Sequence, residues 1–149
     1  MIKLSRLTDY AVVILAALAR QGEKPVSASA LAATTSLPEP TVSKVLKLLT
    51  KGGVIESARG VNGGYVLKDR PEHIKVSAVI AAMEGPIALT SCVKGSHETC
   101  SIEGLCMLHG RWNVVNTAIK TALENVTLAD MLPPASLKPR HTGGEEVRP

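Results

Sequence analysis

The chain has 149 residues, a length typical of one compact domain with a short appendage. Hydrophobic residues make up 45% of it but aromatic residues only 2%, and it has no Phe, so we expect a core of Ala, Val, Leu and Ile on helices. The net charge of +4 suits an acidic partner. No apolar run reaches the roughly 20 residues that span a bilayer, so we expect no membrane segment and a cytoplasmic protein.

Two helices are predicted near the N-terminus. In the first, apolar residues recur at three- and four-residue steps after Thr8, which can cap the helix, and Gly22 is a natural end. The second helix is short and rich in Ala, and it covers residues 28–34. Its cap is Ser27 or Ser29, because a serine hydroxyl can accept a hydrogen bond from the first turn.

A third helix is predicted from Pro40 to Gly52, since Pro suits a first helical turn and Gly a helix end. One stripe of it is apolar and is expected to be buried: Val42, Val45, Leu46 and Leu49. The opposite face presents short donors and cations that suit contacts with base edges and phosphates: Thr41, Ser43, Lys44 and Lys47. The first three of these are the candidate base readers, although a lysine on a helix face is often simply solvated.

The period then changes to that of two short strands, residues 54–57 and 65–67, joined by a Gly-rich turn. Asn62 and Gly63 in that turn indicate a hairpin because both residue types tolerate positive φ. Arg59 precedes a tip of small residues, so its guanidinium can enter a narrow minor groove. We therefore predict DNA contacts at Arg59, Asn62 and Gly63.

Three helices followed by a hairpin is the order of a winged helix-turn-helix. Residues 40–70 carry a net charge of +4 and the rest of the chain is neutral, which places the basic surface on the third helix and the hairpin. A further helix over residues 77–84 ends at Gly85. We therefore predict a mainly α protein in which residues 1–85 form a winged helix-turn-helix DNA-binding domain.

The remainder divides into a loop, a long helix and a tail. Residues 86–109 have no convincing period and contain all the cysteines of the chain: Cys92, Cys100 and Cys106. A long helix is predicted over about 110–125, and its apolar face is formed by Trp112, Val115, Ile119 and Ala122 or Leu123. Within residues 110–132, Thr127 can cap a short terminal helix, and the composition of 133–149 predicts a disordered tail.

Three cysteines within fifteen residues call for an explanation other than structural disulfides, which a reducing cytosol disfavours. Three thiolates this close in sequence can bind one metal centre, and sulfur ligands suit zinc or an iron–sulfur cluster. Spacing alone leaves open zinc, a cluster, redox-active thiols and incidental free cysteines. A zinc-stapled interaction module is thus one alternative, whereas no catalytic triad, phosphate-binding loop or paired-carboxylate motif in the sequence indicates an enzyme.

Four segments resemble the Rrf2 family of bacterial transcription regulators, with the sequences LTDYAV (7–12), PTVSKVL (40–46), RGVNGGY (59–65) and TLADML (127–132). The resemblance runs over residues 1–132 and is strongest to the IscR and NsrR type, in the branch that regulates the SUF iron–sulfur assembly operon. It implies a homodimer on a palindromic operator in double-stranded DNA, with the helix over 110–125 as the dimerisation helix. It also implies repression of the SUF genes.

The resemblance further implies that the three cysteines hold an iron–sulfur cluster. In IscR-like members a His three residues after the last Cys completes a [2Fe–2S] site, and His109 has that place. In NsrR-like members an Asp near the start of the first helix, from the other subunit, completes a [4Fe–4S] site, and Asp9 has that place, where the helix dipole also favours a carboxylate. We favour His109 and [2Fe–2S]; His97 is a further nitrogen donor, and sensing of nitric oxide or thiol oxidation is the alternative function.

Overall fold

The computed structural model describes residues 2–134, in which six α-helices pack with one antiparallel hairpin. In chain order the elements are α1 (Arg6–Gln21), α2 (Ala28–Thr35), α3 (Glu39–Lys51), β1 (Ile55–Ala58), β2 (Gly64–Leu67), α4 (Val76–Glu84), α5 (Asn113–Glu124) and α6 (Leu128–Met131). Within this part of the chain, no helix has the length and apolar character to cross a membrane. Of the tail predicted to be disordered, residues 135–149 lie outside the described residues.

The ends of the first two helices follow local polar residues. The cap of α1 is Ser5, whose hydroxyl accepts from the backbone N–H of Thr8 at 3.2 Å, so the prediction that Thr8 caps this helix was wrong. Thr8 instead lies in the first helical turn with 1% of its surface exposed. Gly22 ends α1 at a φ of 63° and Ser27 caps α2, as predicted.

One aliphatic core holds the first three helices, the wing and α4 together, and the predicted stripe of α3 lies at its centre. All four stripe residues have no exposed surface: Val42, Val45, Leu46 and Leu49. They pack against α1, against Leu31 of α2 and against Val79 of α4. Burial of each such side chain stabilises the fold by about 1.5–3 kcal/mol, so α3 is held firmly and its opposite face is left to solvent.

The hairpin forms as predicted, but its turn has a different conformation. The N–H of Gly63 donates to the carbonyl of Gly60 at 3.0 Å, which leaves Val61 and Asn62 as the central turn residues. Positive φ occurs at Gly60 (109°) and Gly64 (153°), and not at Asn62 or Gly63. The reason given for the hairpin was therefore wrong: the longer loop moves the left-handed positions to the two outer glycines.

The hairpin forms the wing, and it is joined to the link between α1 and α2. β1 pairs with β2 with Ala58 opposite Gly64, and the next residue, Tyr65, exchanges two backbone hydrogen bonds with Val26, of 3.0 and 2.8 Å. A Cβ atom on Gly64 would lie 2.6 Å from the carbonyl of Val26, so this close approach requires glycine. The wing is thus fixed relative to the helices instead of projecting freely.

The C-terminal helices return the chain to this core. α4 ends at Gly85, with a φ of 86°, and α5 begins at Asn113, three residues later than predicted, because residues 110–112 form a turn. Thr127 caps α6 in a reciprocal pair with Asp130, as its position predicted. Leu128 of α6 is fully buried in the core, so α6 packs on α1 and the core that the N-terminal helices share.

Candidate DNA interface and cysteine loop

The solvent face of α3 carries the predicted DNA contacts. Ser43, Lys44 and Lys47 are exposed, whereas Thr41 is half-buried and is the least available of the four. Among residues 2–134, no carboxylate lies within 4.0 Å of either lysine ammonium group. Both charges are therefore available to phosphates, whose neutralisation supplies much of the affinity for DNA.

The wing presents a second basic group. Arg59 and Asn62 are exposed, and the tip residue Val61 is fully exposed. A Cβ atom on Gly63 would overlap the carbonyl oxygen of Ala58, so Gly63 is required by the turn itself and offers DNA only its backbone. The wing therefore presents one guanidinium on a narrow hairpin, the shape expected of a minor-groove or backbone contact.

α3 is also packed closely against α4. A Cβ atom on Gly52, at the end of α3, would overlap the Cβ of Ala82. Because α4 ends at Glu84 and the cysteine loop follows directly, α4 is the element that connects the loop to α3.

A carboxylate at the end of α4 binds the start of α1. Glu84 accepts a hydrogen bond from the backbone N–H of Ser5 at 2.7 Å and another from the hydroxyl of Thr8, which is itself 3.0 Å from the Ser5 hydroxyl. The Thr8 hydroxyl and the Ser5 amide lower the pKa of Glu84. Sequence reasoning missed this cluster, because nothing near Ser5 in sequence indicates a partner 79 residues away.

The three cysteines are free and partly exposed. Cys92 Sγ lies 3.3 Å from the Thr90 hydroxyl, and that hydroxyl, with the backbone N–H of Gly110, lowers the pKa of the Cys92 thiol. Cys100 and Cys106 flank a short 3₁₀ turn, Glu103–Leu105. Across residues 2–134, however, no three His, Cys, Asp or Glu side chains are grouped closely enough to hold a metal ion.

The proposed fourth ligands occupy different places. His109 is half exposed, and its Nε2 lies 3.8 Å from Glu103 Oε1, beside the turn that separates the last two cysteines. Asp9 is exposed in the first turn of α1, and His97 is exposed within the loop. The ligand assignments stay predictions.

A broad apolar surface is exposed on α5 and the loop before it. On α5 and the residue before it, Trp112, Val114 and Val115 are 45%, 76% and 43% exposed. The loop adds exposed Ile102, Leu105, Met107 and Leu108. Of the predicted apolar face, Trp112, Val115 and Ala122 are exposed, whereas Ile119 and Leu123 are half-buried. Several large apolar side chains exposed on one helix and the loop before it are typical of an interface.

Comparison with known proteins identifies the family. The model of the family Rrf2, described as an iron-dependent transcriptional regulator, matches residues 4–134. The transcriptional regulator NsrR of Halalkalibacterium halodurans is 34% identical over 131 residues, which cover 87% of this chain and 90% of that protein.

Two solved structures have the same fold. CymR, the global cysteine regulator of Bacillus subtilis, superposes with a TM-score of 0.66 at 30% identity, covering 88% of this chain and 96% of that one. IscR of T. potens superposes with a TM-score of 0.61 at 30% identity, covering 87% and 85%. These matches confirm the mainly helical winged helix-turn-helix, and the chain belongs to the Rrf2 family of DNA-binding transcriptional regulators.

Proposed function

We propose that this regulator is a homodimer that represses iron–sulfur assembly genes and that its affinity for DNA depends on an iron–sulfur cluster. The observation that carries the proposal is the presence of three free, partly exposed thiols on one loop, directly after the helix that packs against α3. The description of the family as iron-dependent supports it.

The donor chemistry of the loop fits a cluster. Thiolates are the usual ligands of iron–sulfur clusters, and the lowered pKa of Cys92 favours the thiolate form. Cys92, Cys100 and Cys106 would hold the cluster, with His109 in a [2Fe–2S] site as the preferred fourth ligand and Asp9 of a second subunit as the alternative. When bound, the cluster supplies a reversible cross-link whose presence depends on iron and oxidants. Because the donors are not grouped in the described part of the single chain, ligation requires the loop to change its arrangement.

A second copy of the chain is the proposed partner of the exposed apolar face of α5. Val114, Val115, Ala118 and Ala122 are all exposed, and the two alanines, one turn apart, allow a close helix–helix approach. A two-fold dimer through this helix presents two copies of α3 with matching symmetry, which suits a palindromic operator.

The proposal is tested on protein purified without oxygen. We expect bound iron and acid-labile sulfide in the wild type, and loss of both when any one of the three cysteines is replaced by Ala. Lys44→Ala should weaken binding to an operator duplex selected from a random pool, whereas the matched exposed lysine on α5, changed in Lys120→Ala, should not. A protein that binds no DNA in any state, or whose cysteine variants keep full iron and sulfide, would contradict the proposal.

Sensing of thiol oxidation is the second candidate function, because the loop cysteines are free and partly exposed and the CymR relative is a cysteine regulator. The two candidates differ in metal content. A protein that lacks iron and sulfide when prepared without oxygen, but loses DNA binding on treatment with hydrogen peroxide and recovers it with a thiol reductant, would be a thiol sensor.

A further inference from the structure

Two asparagines in the first turn of α5 bind the backbone of the cysteine loop. Asn116, only 6% exposed, accepts from the N–H of Leu89 through Oδ1 at 3.0 Å and donates from Nδ2 to the carbonyl of Ile87 at 3.0 Å. The same side chain therefore binds two loop residues that lie 27 and 29 positions earlier in sequence.

Asn113 makes the second attachment. Its Oδ1 accepts from the N–H of Lys94 at 2.8 Å, and its Nδ2 donates to the carbonyl of Gly110 at 2.8 Å. Asn113 and Asn116 are three residues apart, so they lie on one face of α5. We call this pair the asparagine clasp.

Burial of the Asn116 amide is energetically unfavourable unless the loop is docked on α5. A buried amide that has lost water and found no hydrogen-bond partner is destabilising, and Asn116 is the buried residue of α5, on the same face as the apolar Ile119 and Leu123. Its partners are loop backbone groups, so its burial is favourable only with residues 87–89 docked on the helix. Val93, in the same segment, is also buried, with 4% of its surface exposed.

The clasp divides the cysteine ligands into two groups. Cys92 lies between Leu89 and Lys94, the two residues whose amides the asparagines bind. Cys100 and Cys106 lie beyond the attached segment. The exposed apolar face of α5, proposed above to contact the partner subunit, lies on the other side of the same helix.

We propose that Asn113 and Asn116 are positioning residues that attach Cys92 to α5. Cluster binding at Cys92 then changes the position of α5 in the dimer, and with it the distance between the two copies of α3. This inference rests on the proposed function. Cys92 is then the fixed ligand, and Cys100 and Cys106 move to complete the site. Without the clasp the loop still has its thiols, but the presence or absence of a cluster on the loop no longer affects the position of α5.

The test uses Asn113→Ala and Asn116→Ala in the full chain, with Asn125→Ala, at the exposed end of α5, as the matched control. In metal-free protein we expect amide hydrogen exchange at Lys94 to become about tenfold faster in Asn113→Ala and unchanged in Asn125→Ala. Asn113→Asp keeps the acceptor for the Lys94 amide and should restore slow exchange. Asn113 is partly exposed, so this arm remains informative even if Asn116→Ala does not fold.

The functional readout is the ratio of operator affinities with and without the cluster. We expect this ratio to fall toward one in Asn113→Ala and to stay at the wild-type value in Asn125→Ala and Asn113→Asp. If Asn113→Ala keeps the wild-type affinity ratio, or leaves hydrogen exchange at Lys94 unchanged, the proposed role of the clasp is wrong, whereas the proposed function is unaffected. A wild type whose affinity is the same with and without the cluster would overturn the proposed function, and the coupling with it.

Discussion

Replacement of Gly64 by Ala tests whether the wing is held to the helices by a close backbone contact. The new Cβ would lie 2.6 Å from the carbonyl of Val26, a distance that real Cβ contacts do not reach, and no flexible side chain can give way. The wing must move, and the two hydrogen bonds between Val26 and Tyr65 are lost. At about 0.5–1.5 kcal/mol each, they account for about 1–3 kcal/mol. The positive φ of 153° adds roughly 1 kcal/mol for a residue with a Cβ.

Gly60→Ala is the matched control, because Gly60 also has a positive φ, 109°, but nothing lies within 4 Å of the position that a Cβ atom would take there. We expect urea denaturation to show a loss of about 2–4 kcal/mol for Gly64→Ala and of about 1 kcal/mol for Gly60→Ala. Operator affinity should fall more in Gly64→Ala, because Arg59 is displaced with the wing. Equal free energies of unfolding for the two variants would refute the proposed docking of the wing on Val26.

Further predictions concern the ends of α3 and α4 and the basic surface. Gly52→Ala should destabilise the protein by about 1–3 kcal/mol in urea denaturation, because its Cβ meets Ala82; a neutral effect would contradict this contact. Glu84→Gln should lower the free energy of unfolding at pH 7 by less than about 1 kcal/mol. The pKa of Glu84 is lowered in the folded state, so this contribution to stability is present above the usual Glu pKa and is lost as the pH falls through the lowered folded-state pKa. A difference in stability between the wild type and Glu84→Gln that grows in acid would contradict this assignment. Arg59→Ala should reduce the slope of log operator affinity against log salt concentration by the equivalent of about one phosphate contact. An unchanged slope would show that Arg59 does not contact the DNA.

The features that the sequence predicted well are those decided by neighbouring residues. The stripe of α3 follows from apolar spacing alone, and the structure buries all of it. Ser27 caps α2 and Gly22 ends α1 because each acts on the turn beside it. The solvent exposure of Lys44 and Lys47 follows in turn, since they lie opposite the stripe.

The features that the sequence did not predict depend on contacts across long stretches of chain. Thr8 was predicted to cap α1, but its hydroxyl donates to Glu84, and Ser5 is the N-cap residue. Asn116 was not singled out in the sequence, but it is buried by the loop that it binds. Such partners cannot be found by periodicity, because helix patterns report which face is apolar and not which distant backbone group will meet a polar side chain.

The ligand set of the loop is a different case, because the three thiols are present on one loop but are not grouped within residues 2–134 of the single chain. A cluster draws its ligands together only when it binds, and one candidate, Asp9, would come from a second subunit. Neither sequence spacing nor the single chain therefore decides between His109 and Asp9. Spectra of the His109→Ala and Asp9→Ala proteins would decide it, because loss of a true ligand changes the cluster lifetime and absorption.

Cluster-dependent control of DNA binding is tested most directly by a titration of operator duplex with protein prepared without oxygen, before and after removal of iron by a chelator. Iron and acid-labile sulfide are measured on each sample. We expect the untreated protein to contain both, and its operator affinity to differ by at least about tenfold from that of the iron-free protein, a coupling free energy of roughly 1.4 kcal/mol. Replacement of Cys92 by Ala should abolish the difference. Equal affinities of the two forms, or DNA-binding protein that never contains iron or sulfide, would contradict the proposed function.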